Sequence, residues 1–131
     1  QTPDGYVRFK IELDIGKEKY VGILLPTLND YSWHIYDASS EGDDYEWDGY
    51  YYYYGKLIKN QSLTLFSELT FDFMKTVNSF GGKQANVKVT VEVVEADVDN
   101  IGEKAAWSSA PPKWLQNMKE GVNNYGVSID V

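Results

Sequence analysis

The stretch Asp48-Gly49-Tyr50-Tyr51-Tyr52-Tyr53-Tyr54-Gly55-Lys56-Leu57 decides the fold. Five consecutive tyrosines cannot divide themselves cleanly between a core and water. Taken as a strand, the run puts Tyr50, Tyr52 and Tyr54 on one face and Tyr51 and Tyr53 on the other. Both faces then carry large rings with a polar tip. Such a strand is covered on both sides, or one side is an adhesive surface.

The neighbouring segments also read as strands. Val7, Phe9, Ile11, Leu13 and Ile15 alternate with Arg8, Lys10, Glu12 and Asp14, which predicts a half-buried strand. Gly16-Lys17-Glu18-Lys19 reads as a hairpin turn, Tyr20 to Leu25 as the next strand, and Pro26 as its end. Trp33 and Ile35 mark a short strand, and residues 38–48 a polar, acidic loop. Residues 63–77 fit two periods: Leu65, Leu69, Phe73 and Val77 a helix, Leu69, Phe71 and Phe73 a strand. Thr70 and Phe71 favour a strand over 68–73.

Val87, Val89, Val91 and Val93 alternate with Lys88, Thr90 and Glu92, and the phase slips at Val93-Val94, where a bulge is expected. Pro111-Pro112, Trp114, Leu115, Met118 and Gly121 outline a short helix, with proline at its start and glycine past its end. Tyr125, Val127, Ile129 and Val131 alternate as a terminal strand. Short strands punctuated by turns, without βα alternation, predict one all-β domain over residues 1–131. Its expected form is an antiparallel, jelly-roll-like β-sandwich with one short helix near the C-terminus.

Composition narrows the function. The net charge is −8 and the pI about 4.5, so no basic patch is offered to nucleic acid. The chain holds no cysteine, which excludes disulfides and thiolate chemistry. No apolar run approaches the ~18 residues of a membrane span. A start at Gln1 rather than Met reads as a processed or trimmed product.

His34 is the only histidine, so zinc sites of two or three histidines are excluded within one chain. No G-x-S-x-G elbow surrounds any serine. An enzyme is therefore not expected, and His34 reads as a strand residue with a solvated or hydrogen-bonded ring. Asp43, Asp44, Glu46 and Asp48 are weak candidate ligands for Ca²⁺; they lack EF-hand spacing, and the plainer reading is a solvated loop. No other cofactor is expected. Trp47, Tyr51 and Tyr53, with Trp33 and Trp107, are candidates for an aromatic surface that stacks on polysaccharide. The plainer reading places most of these rings in the core.

Three segments in order resemble one family. They are Asp4-Gly5-Tyr6-Val7-Arg8-Phe9-Lys10, then the tyrosine block with Leu65-Phe66 and Leu69-Thr70-Phe71-Asp72, then Val87 to Ala96 with Ala105-Ala106-Trp107. The ordered set resembles the SipW-dependent, alternate-signal-peptide exported proteins of Gram-positive bacteria, which include TasA, the biofilm matrix fibre protein, and camelysin. The resemblance implies a jelly-roll sandwich, export, and a non-enzymatic structural subunit that assembles into extracellular fibres with its own copies or other matrix proteins. It also implies assembly by strand donation, in which an added strand satisfies the open edge of a neighbour's sheet. Head-to-tail donation does not close, so it propagates a filament. The expected pairing strands carry Val7, Phe9, Ile11 and Leu13, and Tyr125, Val127, Ile129 and Val131. The family places further strands before its first motif, whereas this chain starts almost on it, and the alternating tail is expected to fill that gap. Some members are described as metalloproteases, an activity at odds with a single histidine. The alternative function is a cell-surface module that binds carbohydrate or a host surface.

Overall fold

A computed structural model describes residues 5–58, 60–71, 85–95 and 107–120. Its elements are β1 (Gly5–Ile15), β2 (Glu18–Val21), β3 (Leu24–Pro26), β4 (Trp33–His34), α1 (Ala38–Glu41), β5 (Tyr50–Tyr53), β6 (Leu69–Phe71), β7 (Ala85–Glu95) and α2 (Pro112–Glu120). The protein is antiparallel β, with a short helix near the C-terminus, as the sequence predicts.

Strand β1 organises the larger sheet. On one side it pairs with β7 over its whole length, from Gly5↔Glu95 to Ile15↔Ala85. On the other side it pairs with β2 through Glu12–Ile15 and with β5 through Arg8–Lys10. β4 extends β5, with Trp33 opposite Tyr53. A second, two-stranded sheet joins β3 to β6.

The segment expected as one strand over 20–25 is split between the two sheets. Gly22 takes φ +88°, a backbone conformation open to glycine, and the chain leaves the first sheet there to enter the second. The hairpin before it is tighter than expected. Ile15 pairs with Glu18 across two residues, with Gly16 at φ +62° matching the twist of the strands.

The tyrosine strand is covered on both faces. On one side, Phe9, Trp33 and Tyr51 pack with Val7, Ile11, Leu13, Ile15, Ile23 and Leu24. The Phe9 ring lies 4.9 Å from Trp33 edge-on and 5.2 Å from Tyr51. On the other side, Tyr52 and Tyr54 pack with Tyr6, Trp107, Ala110, Trp114 and Met118. α2 supplies that cover: Trp114 is fully buried, and its indole N–H donates to the Tyr53 carbonyl at 2.9 Å. β1 is thus covered on both faces, where alternation alone predicts one wet face.

Arg8 shows how a charge is accommodated there. Its guanidinium stacks 3.9 Å from the Tyr50 ring and 4.7 Å from Trp107, donates to the Tyr52 hydroxyl at 2.9 Å, and pairs with Glu92 and Asp48. Burial pulls its pKa down, but the bonds to Tyr52 and Glu92 outweigh burial and hold it above the ordinary value.

Candidate functional site

Two places stand out: a buried histidine cluster beside a cavity, and the outer strand β7. The cluster begins with Asp37. Its carboxylate caps α1, accepting from the Ser39 N–H at 3.1 Å and the Ser39 hydroxyl at 2.8 Å. The cap starts a single helical turn and turns Glu41 inward, where its side chain is wholly buried. An acidic, solvated loop was the expectation for 38–48, and Glu41 departs from it for a physical reason. One carboxylate oxygen accepts the Lys113 N–H at 3.2 Å, in the first turn of α2, where orphan amides favour negative charge. The other lies 2.5 Å from Nε2 of His34, although neither atom makes a well-aligned hydrogen bond.

His34 lies on β4 and is buried, with its ring hydrogen-bonded, one of the two alternatives expected of it: Nδ1 lies 2.7 Å from the Tyr54 hydroxyl. The tautomer of the imidazole decides whether Nδ1 accepts from the Tyr54 hydroxyl or donates to it. Burial lowers the His34 pKa; Glu41, and more weakly Asp48, oppose that without reversing it. Asp30, Trp33, Ile35, Asp37, Ser40 and Lys113 complete the wall of an open cavity of about 410 Å³. The three clustered side chains come from α1, β4 and the residue that follows β5, and through Lys113 they reach α2. Their chemistry is that of a proton-sensitive clasp between elements. Nothing in the sequence marked Glu41 for this role beyond its place four residues after a capping aspartate.

The aromatic surface candidates are mostly consumed by packing. Tyr51 is buried against Phe9 and Trp47, and burial raises its pKa to about 12. Tyr53 is half-buried against Trp33. Trp47 is half-buried; it stacks at 6° on Tyr36, with 5.6 Å between centroids, and its indole N–H donates to the Tyr50 carbonyl. Trp33 and Trp107 are core residues.

The acidic candidates do not converge. Asp43, Asp44 and Glu46 are exposed, while Asp48 accepts hydrogen bonds from Tyr52, Ser109 and the Tyr50 N–H and sits against Arg8. Among the described residues no group of three or more His, Cys, Asp or Glu is placed to hold a metal ion. Nor, among them, is any helix long and apolar enough to cross a membrane.

The pairing strands expected from the sequence are redistributed. Val7, Phe9, Ile11 and Leu13 sit on a strand whose two edges are both engaged within the chain, and their side chains are 0–2 % exposed. They hold the subunit together and present no open edge. Tyr125, Val127, Ile129 and Val131 lie outside the described residues, as does most of the expected continuation past Val94. Among the described residues the outer strand is β7, which pairs with β1 alone. Val87, Val89, Val91 and Val93 lie on the same face as the buried side chains of β1, yet are 40–57 % exposed. Among the described residues the cover over β1 does not extend to its neighbour. Comparison with protein-family models, with curated proteins and with solved structures finds no match to this chain.

Proposed function

We propose that this chain is an extracellular structural subunit that joins copies of itself through the edge of its larger sheet, as a matrix-fibre or pilus component does. The observation that supports this is β7. An eleven-residue strand that is outermost among the described residues, with four exposed valines on one face, is a template for a further strand. Among the described residues the opposite margin of the sheet carries no comparable template. β2 is four residues long with Glu18 and Lys19 at its start, and β4 has two residues. Short, charged margins discourage pairing; long, apolar ones invite it. The resemblance to the SipW-dependent matrix proteins points the same way.

Negative-stain electron microscopy and sedimentation of the full chain over a wide concentration range test the reading. Concentration-dependent filaments or larger assemblies are expected. A chain that stays monomeric at the highest soluble concentration overturns it.

A second reading, a polysaccharide-binding surface, draws on the stacked Tyr36–Trp47 pair and the neighbouring Tyr45 ring. Pull-down on insoluble cell-wall polysaccharide checks it: retention that falls on Tyr36→Ala supports this reading, and passage of the unaltered chain in the flow-through rejects it.

A further inference from the structure

We infer that the strand added to β7 is β7 of a second copy, paired antiparallel across a two-fold axis at Thr90; this rests on the self-assembly reading and specifies its contact. A two-fold axis normal to a sheet keeps each face on its own side, so the contact is self-complementary. Val87, Val89, Val91 and Val93 then meet only residues of their own face, and Lys88, Thr90 and Glu92 only residues of theirs.

Charge selects the register. An axis at Lys88 or at Glu92 sets like charges opposite each other. An axis at Val89 or Val91 leaves both charges opposite uncharged residues. An axis at Thr90 sets Lys88 opposite the partner's Glu92 twice, which is the favourable cross-strand arrangement. The same register sets Val89 against the partner's Val91 and Val87 against the partner's Val93, merging the two exposed stripes into one apolar patch.

Glu92 is already held by Arg8, which fixes its carboxylate on that face, and its side chain keeps 39 % of its exposure for a second cation. Lys88 is exposed. The two sheets become one continuous sheet through the axis. Such a dimer is closed, so filaments need a second contact between dimers.

The chain lacks cysteine, so one introduced thiol reports the contact without background. In this register the two Thr90 Cα atoms lie about 4.5–5.5 Å apart, within the reach of a disulfide. The two Asn86 positions are about 27 Å apart along the strands. Thr90→Cys and Asn86→Cys are oxidised separately in the full chain and read on a non-reducing gel. Thr90→Cys is expected to give a covalent dimer at least roughly tenfold faster than Asn86→Cys. Adding Lys88→Glu to Thr90→Cys sets carboxylates opposite each other and is expected to slow the dimer.

Equal rates for the two cysteines overturn the inference. So does a Thr90→Cys chain that stays monomeric on oxidation, the result expected if residues 121–131 of either copy take this edge instead. Filaments without the cross-link reject the register and leave the structural-subunit reading standing. A cross-linked dimer that never grows further upholds the register and rejects the fibre.

Discussion

β1 and β7 are both eleven residues long, pair with each other residue for residue, and alternate apolar with polar side chains. Their environments are opposite. The apolar side of β1 is 0–5 % exposed from Val7 to Ile15, while the matching valines of β7 are 40–57 % exposed. The difference is position in the sheet. β1 has strands on both edges, a layer over each face, and aromatic partners from β4 and β5. β7 has one neighbour among the described residues, and its valines reach beyond the layer that covers β1. Alternation marks a strand and its two faces; it does not reveal what lies over them.

The largest expected effect breaks this contrast directly. Phe9 has no exposure and touches the rings of Trp33, Tyr51 and Phe66. Phe9→Ala is expected to destabilise the monomer by about 4 kcal/mol, from lost burial plus an unfilled cavity. Val91, its partner in register, is half exposed. Val91→Ala is expected to cost about 0.5 kcal/mol. Chemical denaturation at a concentration too low for association measures both. Similar losses at the two positions mean that β7 is covered as β1 is.

How much of this was legible follows from the same pair. The strands themselves could be read, because period-two alternation in Val7–Ile15 and Val87–Val93 has no good helical alternative. The double cover of the tyrosine strand could also be read, since both of its faces carry rings. The break at Gly22 was less visible: one glycine in an apolar run signals a kink without saying which sheet the chain joins next. The burial of Glu41 was hidden because it depends on an amide of α2, seventy-two residues away in sequence. The place of β7 at the margin of the sheet, among the described residues, was hidden for a related reason. Pairing partners are set by tertiary arrangement, so β1 and the tail at residues 125–131, rather than β7, were expected to offer the pairing edge.

A smaller effect separates the two covers of the sheet by pH. The His34–Glu41–Tyr54 clasp belongs to the α2 side, and Phe9 to the other. His34 has a folded-state pKa below its ordinary 6.5 because it is buried, with Glu41, Tyr54 and Asp48 around it. The unfolded chain therefore binds more protons once the pH drops below about 6.5. Stability from this group is complete above that pH, falls as the pH drops through it, and levels off once the folded histidine also titrates. The slope cannot exceed about 1.4 kcal/mol per pH unit for one proton. Denaturation followed by fluorescence from about pH 7.5 to about pH 5.5 should show the loss, and His34→Gln should flatten it. A rise in stability on acidification would mean that the Glu41–His34 ion pair outweighs the cost of burying charge.

The smallest expected effect on the monomer is the most telling for function. Val89→Lys with Val91→Lys changes two side chains that are 40 % and 48 % exposed, so folding stability should move by no more than about 0.5 kcal/mol. Self-association should nevertheless be lost. In the Thr90-centred register, Val89 faces the partner's Val91, so the double change sets lysine against lysine at both places and replaces apolar contact with charge. Sedimentation velocity beside a denaturation curve separates the two quantities. A variant that folds as before and no longer associates assigns the exposed stripe to contact between copies. A variant that unfolds assigns it to the interior, and β7 then resembles β1 after all.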